Sequence, residues 1–540
     1  MADSSLHTMA VCAGRAATTR PAQRLWRWMA PALGVAAFSL AARSARADDV
    51  IEDPELAAVP HEAPVAAPPS NGPRETTWHT TLHTRWGVDT DWTRPSQDVV
   101  EGTTVAALEV EQRRSDTLLL SAGLRVRHGF AVHQSGAAAY TLDVAPLSLF
   151  ADVTPGPGYH VRVGYQVISM GRFDLFSATN FLSTYDLRSG PVTMSEASPI
   201  ATPAVRFDFD KVRGFTLQAF YVPFFVPDLI ALYGTDYALL SPLDRLNTET
   251  GNATREVFER ALGRSGLTTL STDALQALAP PPDFRSPQGA IRATLYGSAG
   301  ELSATVGTAL EPLPTLVLSP AFSSYLNSTA TAIAQMAPLP TAPDSVWDHP
   351  IGVEHPRYGI ASLDGAFDVG PVQLGAEAAY MLDRTLMATG PGTPANGNIP
   401  IGNPERVNMA QFGLRAEYVR GTEWAVVVES FLAMAMRNPS AAGAGWFGMD
   451  GRYAYGVAAG AHYTPEKSRL RFELGGAALA VATYVLMPRV EWEALNAFFL
   501  ELGAVFVQGH TPFVLGVPNT SLGGLYNDVD QVFIGARWAP

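Results

Sequence analysis

Arginine stands two residues before a carboxylate in Arg206-x-Asp208, Arg415-x-Glu417 and Arg471-x-Glu473, among other places. On an extended chain, residues two apart share a face, so each pair can close an ion pair or decorate one polar surface. Arg125 and Arg127 share a face in the same way, and Arg162 and Arg292 stand in comparable stretches. Arg162, Arg206, Arg292, Arg415 and Arg471 each lie about five residues from a short turn, hence ~15 Å up a strand. Two chemistries fit such a set. One is a charged belt that selects or orients passing solutes. The other is a wall of ion pairs that satisfies buried charge and does nothing more. In either case Arg125, Arg127, Arg162, Arg206, Asp208, Arg292, Arg415, Glu417, Arg471 and Glu473 are expected to face a watery interior and line a pore.

Catalytic and metal chemistry have little to stand on. His79 and His83 share a face, but four residues of strand separate them by ~13 Å, too far for one metal. Thr80-Thr81-Leu82 between them favours strand over helix. The chain has no G-x-S-x-G elbow, phosphate loop, dinucleotide fingerprint or EF-hand loop. Its one cysteine, Cys12, falls in a segment expected to be removed, which excludes a disulfide framework and cysteine-ligated metals. The expectation is therefore no enzyme, no cofactor and no metal.

The elements that must hold those arginines are strands. From Thr77 onward the apolar pattern has period two. Leu118, Leu120, Ala122, Leu124 and Val126 alternate with Arg125 and Arg127. Val205, Phe207 and Phe209 alternate with Arg206 and Asp208, and Leu470, Phe472 and Leu474 with Arg471 and Glu473. Either face could be the outer one on this pattern alone. Short connections, as at Arg114-Ser115, Pro155-Gly156-Pro157 and Gly370-Pro371, alternate with long ones. The long ones cover 93–102, 128–136, 171–200, 223–287, 312–356, 384–405, 438–450 and 509–528. Short turns at one end and long loops at the other are the wiring of an all-β, transmembrane antiparallel barrel. The segments number about eighteen strands, or sixteen if 481–484 lies within one bent strand. Trp78, Phe215, Tyr418, Trp424, Tyr463, Trp492, Phe498 and Trp538 fall near the short-turn end, where a membrane interface favours aromatic rings. Ordinary strand preference for aromatics would also place them so.

Composition agrees. The chain carries 37 Lys+Arg against 51 Asp+Glu, a formal net charge of -14, which disfavours nucleic acid as a partner. Charged residues are only 16 % while apolar residues are an ordinary 47 %, the balance of an apolar outside and a wet inside. Residues 1–47 read as a signal peptide. Arg15, Arg20, Arg24 and Arg27 precede an apolar run at 29–42, and Ala45-Arg46-Ala47 fits cleavage near Ala47, with Met9 as a second possible start. Residues 48–76 form a Pro/Ala-rich periplasmic lead-in, and 77–540 the barrel. The expected location is the outer membrane. The expected partners are its lipid, small solutes, the assembly machinery and, as an option, further copies of the chain.

Two long loops carry helical spacing. Val257, Phe258, Ala261 and Leu262 share a helix face, and Ser271 could cap a second helix with Leu275 and Leu278. Phe322, Tyr325, Leu326, Thr329, Ile333 and Met336 share another. One of these loops is expected either to fold into the lumen or to cap it outside.

The run Val163-Gly164-Tyr165-Gln166 to Gly171, followed by Phe173-Asp174, Asn180, Asp186, Pro203, Gly214, Tyr221 and Pro223, resembles large porin-like outer-membrane barrels of Gram-negative bacteria. The resemblance covers about 159–227. It implies a barrel in the outer membrane and passage of solutes, and names no substrate. Those barrels usually end on an aromatic residue, whereas here Ala539 and Pro540 follow Trp538.

Overall fold

The computed structural model describes residues 75–90, 98–133, 138–173, 177–188, 199–229, 257, 260–261, 264, 286–313, 315–335, 337–338, 340–389, 401–421, 423–440, 445–446, 449–480, 483–508 and 530–539. Eighteen long strands form the wall. They are β1 (Glu75–Asp89), β2 (Asp98–Ser115), β3 (Leu118–His133), β4 (Ala138–Gly156), β5 (Tyr159–Gln166) and β6 (Thr202–Val212). Next come β7 (Phe215–Val222), β8 (Gln288–Gly297), β9 (Gly300–Leu310), β10 (Arg357–Val369), β11 (Val372–Thr389) and β12 (Ile401–Arg420). The last six are β13 (Trp424–Ala435), β14 (Tyr453–Tyr463), β15 (Leu470–Leu479), β16 (Thr483–Leu495), β17 (Phe498–Gln508) and β18 (Gln531–Trp538).

Each strand pairs antiparallel with the next. The sheet closes where β1 meets β18, from Leu82↔Trp538 to Asp89↔Gln531. Closure pairs the backbone groups that an open edge would leave bare, which a lipid layer cannot satisfy. The doubtful connection lies between β15 and β16. Leu479 pairs with Thr483 across two separate strands, so the count is eighteen rather than sixteen. The short turns reverse through left-handed glycines, such as Gly370 at φ 60° and Gly421 at φ 58°, where a side chain would be strained.

Burial decides which face is outermost. Leu124 is 48 % exposed while its neighbour Arg125 is 7 % exposed. The same alternation runs around the wall: Leu82, Ile291, Leu363, Phe412, Leu414, Leu502 and Ile534 are exposed outward, and Arg85, Arg292, Asp364, Glu417 and Glu501 are buried inward. Trp78, Trp424, Trp492 and Trp538 are exposed on the outer face near the short-turn end, and Trp424 stacks on Tyr463 with centroids 4.3 Å apart. Outside is therefore apolar and inside is charged, as a membrane-spanning barrel requires.

The β11–β12 hairpin rises past its neighbours and turns over. In the wall, β11 lies toward β10 and β12 toward β13. Above it, Ala388 and Thr389 pair with Trp446 and Gly445, which follow β13, while Ile401 and Gly402 pair with Leu316 and Val317, which follow β9. A β-bulge between Met381 and Arg384, with Asp383 at φ 57°, lets the ribbon swing. A regular helix, α1 (Pro320–Ala334), lies in the connection after β9. Phe322 and Tyr325 on α1 pack against Trp347.

Candidate functional site

The connection after β5 does not rise from the barrel. Of its described residues, Arg172 and 177–179 bind inner-face groups of β9, β11 and β12, while Asp186 and Arg188 bind those of β3 and β4, so the loop crosses the lumen. Asn180 shapes this loop by accepting the backbone N–H groups of Met170 (2.8 Å) and Gly171 (2.5 Å) through Oδ1. Ser183 closes it further by donating to the Ile168 carbonyl at 2.5 Å.

Three walls hold the loop. Glu377 on β11 caps its turn: Oε1 accepts the N–H groups of Ala178 (2.5 Å) and Thr179 (3.0 Å), and Oε2 accepts the Ser177 hydroxyl (2.9 Å). Arg172 pairs with Glu301 on β9, and Arg415 Nη1 on β12 donates to the Arg172 carbonyl at 3.2 Å. Gly413 and Gly307 leave room on the inner wall for the rings of Phe173 and Phe181. On the opposite side Arg188 binds Asp186 (2.6 Å) and Asp143 of β4, while Arg125 and Arg127 of β3 reach Asp186 at 3.9 and 3.6 Å. An apolar cluster that includes Met170, Phe181, Leu182, Phe220, Ile360, Met381, Met409 and Trp446 seals the loop against the upper inner wall.

A second contact pins the far arm of the loop. Tyr185 and Leu187 pair with Leu229, Thr184 donates to the Val226 carbonyl (3.0 Å), and Tyr185 N–H donates to Asp228 Oδ1 (2.8 Å). Asp228 N–H in turn donates to the Pro312 carbonyl, so three connections meet there. Burial pushes the Asp228 carboxyl up to about 7, opposed by the Tyr185 N–H and reinforced by nearby Asp186. Burial also pushes Asp186 upward, but its bonds to Arg188 and the charges of Arg127 and Arg125 outweigh that and bring it down to about 2.

The ten sequence-derived residues all lie on the inner face, each in contact with an opposite charge. Arg125 and Arg127 reach Asp186. Arg162 binds Asp152 (2.8 Å) and Arg292 binds Asp364 (2.7 Å). The two-residue spacing closes as expected in Arg206–Asp208 (2.9 Å), Arg415–Glu417 (3.1 Å) and Arg471–Glu473 (2.9 Å). Arg415 also binds Glu429 at 2.6 Å.

Sequence reading missed more partners than it found. Asp152, Asp186, Asp364 and Glu429 join their arginines across strands or from a loop. It also missed a network on β15–β18 and β1, built from Arg489, Glu491, Glu501, Arg537 and His83. Glu109 on β2 reaches over Gly123 on β3, accepting the hydroxyls of Ser121 (2.7 Å) and Ser148. The described residues that cross the lumen belong to neither loop singled out for helical spacing, and most of 223–287 lies outside the described residues. α1 forms over Phe322, Tyr325, Leu326, Thr329 and Ile333, and Ala261 with Val257 is helical, but Phe258, Leu262, Ser271, Leu275, Leu278 and Met336 lie outside the described residues. The crossing loop has no helical period to betray it, since hydrogen bonds from single side chains hold it.

No family model matches the chain, and no curated protein matches it. Among solved structures it is similar to OccAB1 of Acinetobacter baumannii, at 8 % identity and TM-score 0.45, covering 86 % of this chain and 96 % of that one. It is also similar to Pseudomonas aeruginosa OpdK with vanillate, at 11 % identity and TM-score 0.42, covering 86 % and 98 %. The outer membrane channel DcaP of Acinetobacter baumannii stands at 9 % identity and TM-score 0.37, covering 88 % and 100 %. The closed pairing and the polarity of the two faces define the fold. The chain is a closed antiparallel β-barrel of eighteen strands, apolar outside and charged within.

Proposed function

We propose that this chain is an outer-membrane channel or facilitator for small polar or amphipathic solutes, with the loop at 167–201 as its constriction. The observation that carries this reading is the loop itself. A barrel of eighteen strands encloses more space than its own side chains fill. A loop pinned to β9, β11 and β12 and to β3–β4 narrows that space. The ten residues above are then pore-lining, those under the loop as anchors and the rest as wall.

The same reading takes residues 1–47 as the export signal, cleaved near Ala47, 48–76 as a periplasmic lead-in and 77–540 as the barrel. The outer apolar band meets lipid, the assembly machinery inserts it, and copies can associate through that band.

Purified full-length mature chain in liposomes tests the proposal. Solute-dependent swelling in small sugars and amino acids is the expected result. A folded, inserted barrel that passes nothing would mark a plugged structural or surface-binding barrel instead.

A further inference from the structure

β4 is far taller than the strand that follows it. It runs Ala138–Gly156, whereas β5 spans only Tyr159–Gln166 before the chain turns into the lumen. Their ladder ends at Leu149↔Tyr165, while β3 accompanies β4 as far as Val132↔Ala138. Among the described residues, none pairs with the other side of β4 from 138 to 148. The sequence marks this as a true edge. Pro146, which has no N–H, stands there opposite Leu124, and the register shift beside it leaves Leu147 as a bulge. Proline is confined in sheets to edges, strand starts and bulges. Above Pro146 the open stretch is 138–145, ~26 Å of backbone.

This stretch stands clear of lipid. Tyr140 lies 16 residues up the strand from the Gly156 turn. At strand rise and barrel tilt that is ~35–40 Å of height, against an apolar band ~25 Å tall. Yet the outward side chains here are Tyr140, Leu142 and Val144, exposed by 71, 69 and 62 %. An apolar face in water beside bare main-chain groups is a docking surface. The edge is also held ready. Tyr140 stacks on His128 of β3 with centroids 6.4 Å apart, and on the inner side Arg188 binds Asp143. The alternating N–H and C=O groups of a strand edge are matched in full only by another extended polypeptide, so the occupant is a peptide and not a lipid or a sugar. A second copy does not fit. Copies in one membrane are related by an axis along its normal, which would cross two tilted strands instead of aligning them.

We infer that the upper edge of β4 receives an extended segment of another protein on the long-loop side of the membrane, added as a strand beside 138–145. Its side chains next to Tyr140, Leu142 and Val144 are apolar, and the alternate ones, toward Thr141 and Asp143, are small or polar. The inference does not need the lumen to conduct. The test is the full-length barrel in detergent with a fluorescein-labelled octapeptide, in which valine and tyrosine alternate with threonine between terminal lysines. Two further versions carry N-methyl groups on alternate residues, one in each register. Only one row of a strand's N–H groups faces its neighbour, so the unmodified peptide should bind and one methylated version should bind roughly tenfold more weakly than the other. Leu142→Lys with Val144→Lys, checked for folding by heat-modifiable gel mobility, should weaken the unmodified peptide by a similar factor. If that variant does not fold, the peptide series on the unaltered chain decides alone. No binding of the unmodified peptide overturns the inference, as does equal binding of the two methylated versions, which would mark apolar adhesion only. A dimer of the chain that the peptide dissolves would mark a second copy as the occupant and overturn it too.

Discussion

Glu377 of β11 accepts the backbone N–H of Ala178 at 2.5 Å, from a position 199 residues later in the chain. That bond and its companions to Thr179 and Ser177 hold the turn of the lumen loop against the wall. The residue is 5 % exposed, and charge-assisted bonds of this kind contribute about 1.5–3 kcal/mol each. E377A should free the loop, raising single-channel conductance or its fluctuation. E377Q retains an acceptor and should fall between. Recordings indistinguishable from wild type in E377A would remove the loop from its role as constriction.

Asp228 makes the same loop pH-dependent. Its carboxyl sits at about 7, raised from 3.8 in the exposed chain, so the folded junction binds a proton that the opened junction releases. The junction's stability is complete below about pH 4, declines by roughly 1.4 kcal/mol per pH unit as pH rises, and levels off above about pH 7. Among the described residues, Asp186 faces it on one side, ringed by Arg188, Arg125, Arg127 and Asp143, and the neutral Tyr358 on the other, beside Arg384 and Glu311. Protease nicking or hydrogen exchange at 184–187 should increase with pH across that window. D228N should flatten the profile, and an unchanged profile would rule out Asp228 as its source.

Glu429 is fully buried and bonded to Arg415 at 2.6 Å. Removing one partner of a buried pair strands the other, at about 3–5 kcal/mol. E429L should lower the unfolding midpoint in detergent by that order, with Glu417 softening the loss. R415M should cost more, because it takes the arginine from both Glu429 and Glu417, and adding E429L to R415M should recover part of that loss. A double variant no more stable than R415M would contradict the pairing.

Leu414 is 64 % exposed on the outer face, next to inward Arg415. L414R should cost about 2–4 kcal/mol of stability in lipid, the usual penalty for arginine facing the bilayer midplane. Folding titrations in vesicles measure this directly. A neutral result would reverse the assignment of the two faces.

The period-two pattern, the short and long connections and the positions of the arginines are all local properties. A strand alternates its side chains whatever it pairs with, so a sheet with one apolar and one charged face is legible residue by residue. Arg206–Asp208, Arg415–Glu417 and Arg471–Glu473 follow from the same rule, since their spacing alone puts both members on one face.

Other relationships belong to closure. The outer face is known only once Leu124 is seen exposed and Arg125 covered, because alternation has no inside or outside of its own. Arg292–Asp364, Arg415–Glu429 and Ala178–Glu377 join residues whose separation in the chain carries no signal. They become neighbours when the wall curves round and the loop falls inward. Local sequence thus determined a sheet with one wet and one dry face. The tertiary structure decided how that sheet was filled, since cross-strand register and loop insertion depend on contacts that form only in the closed barrel.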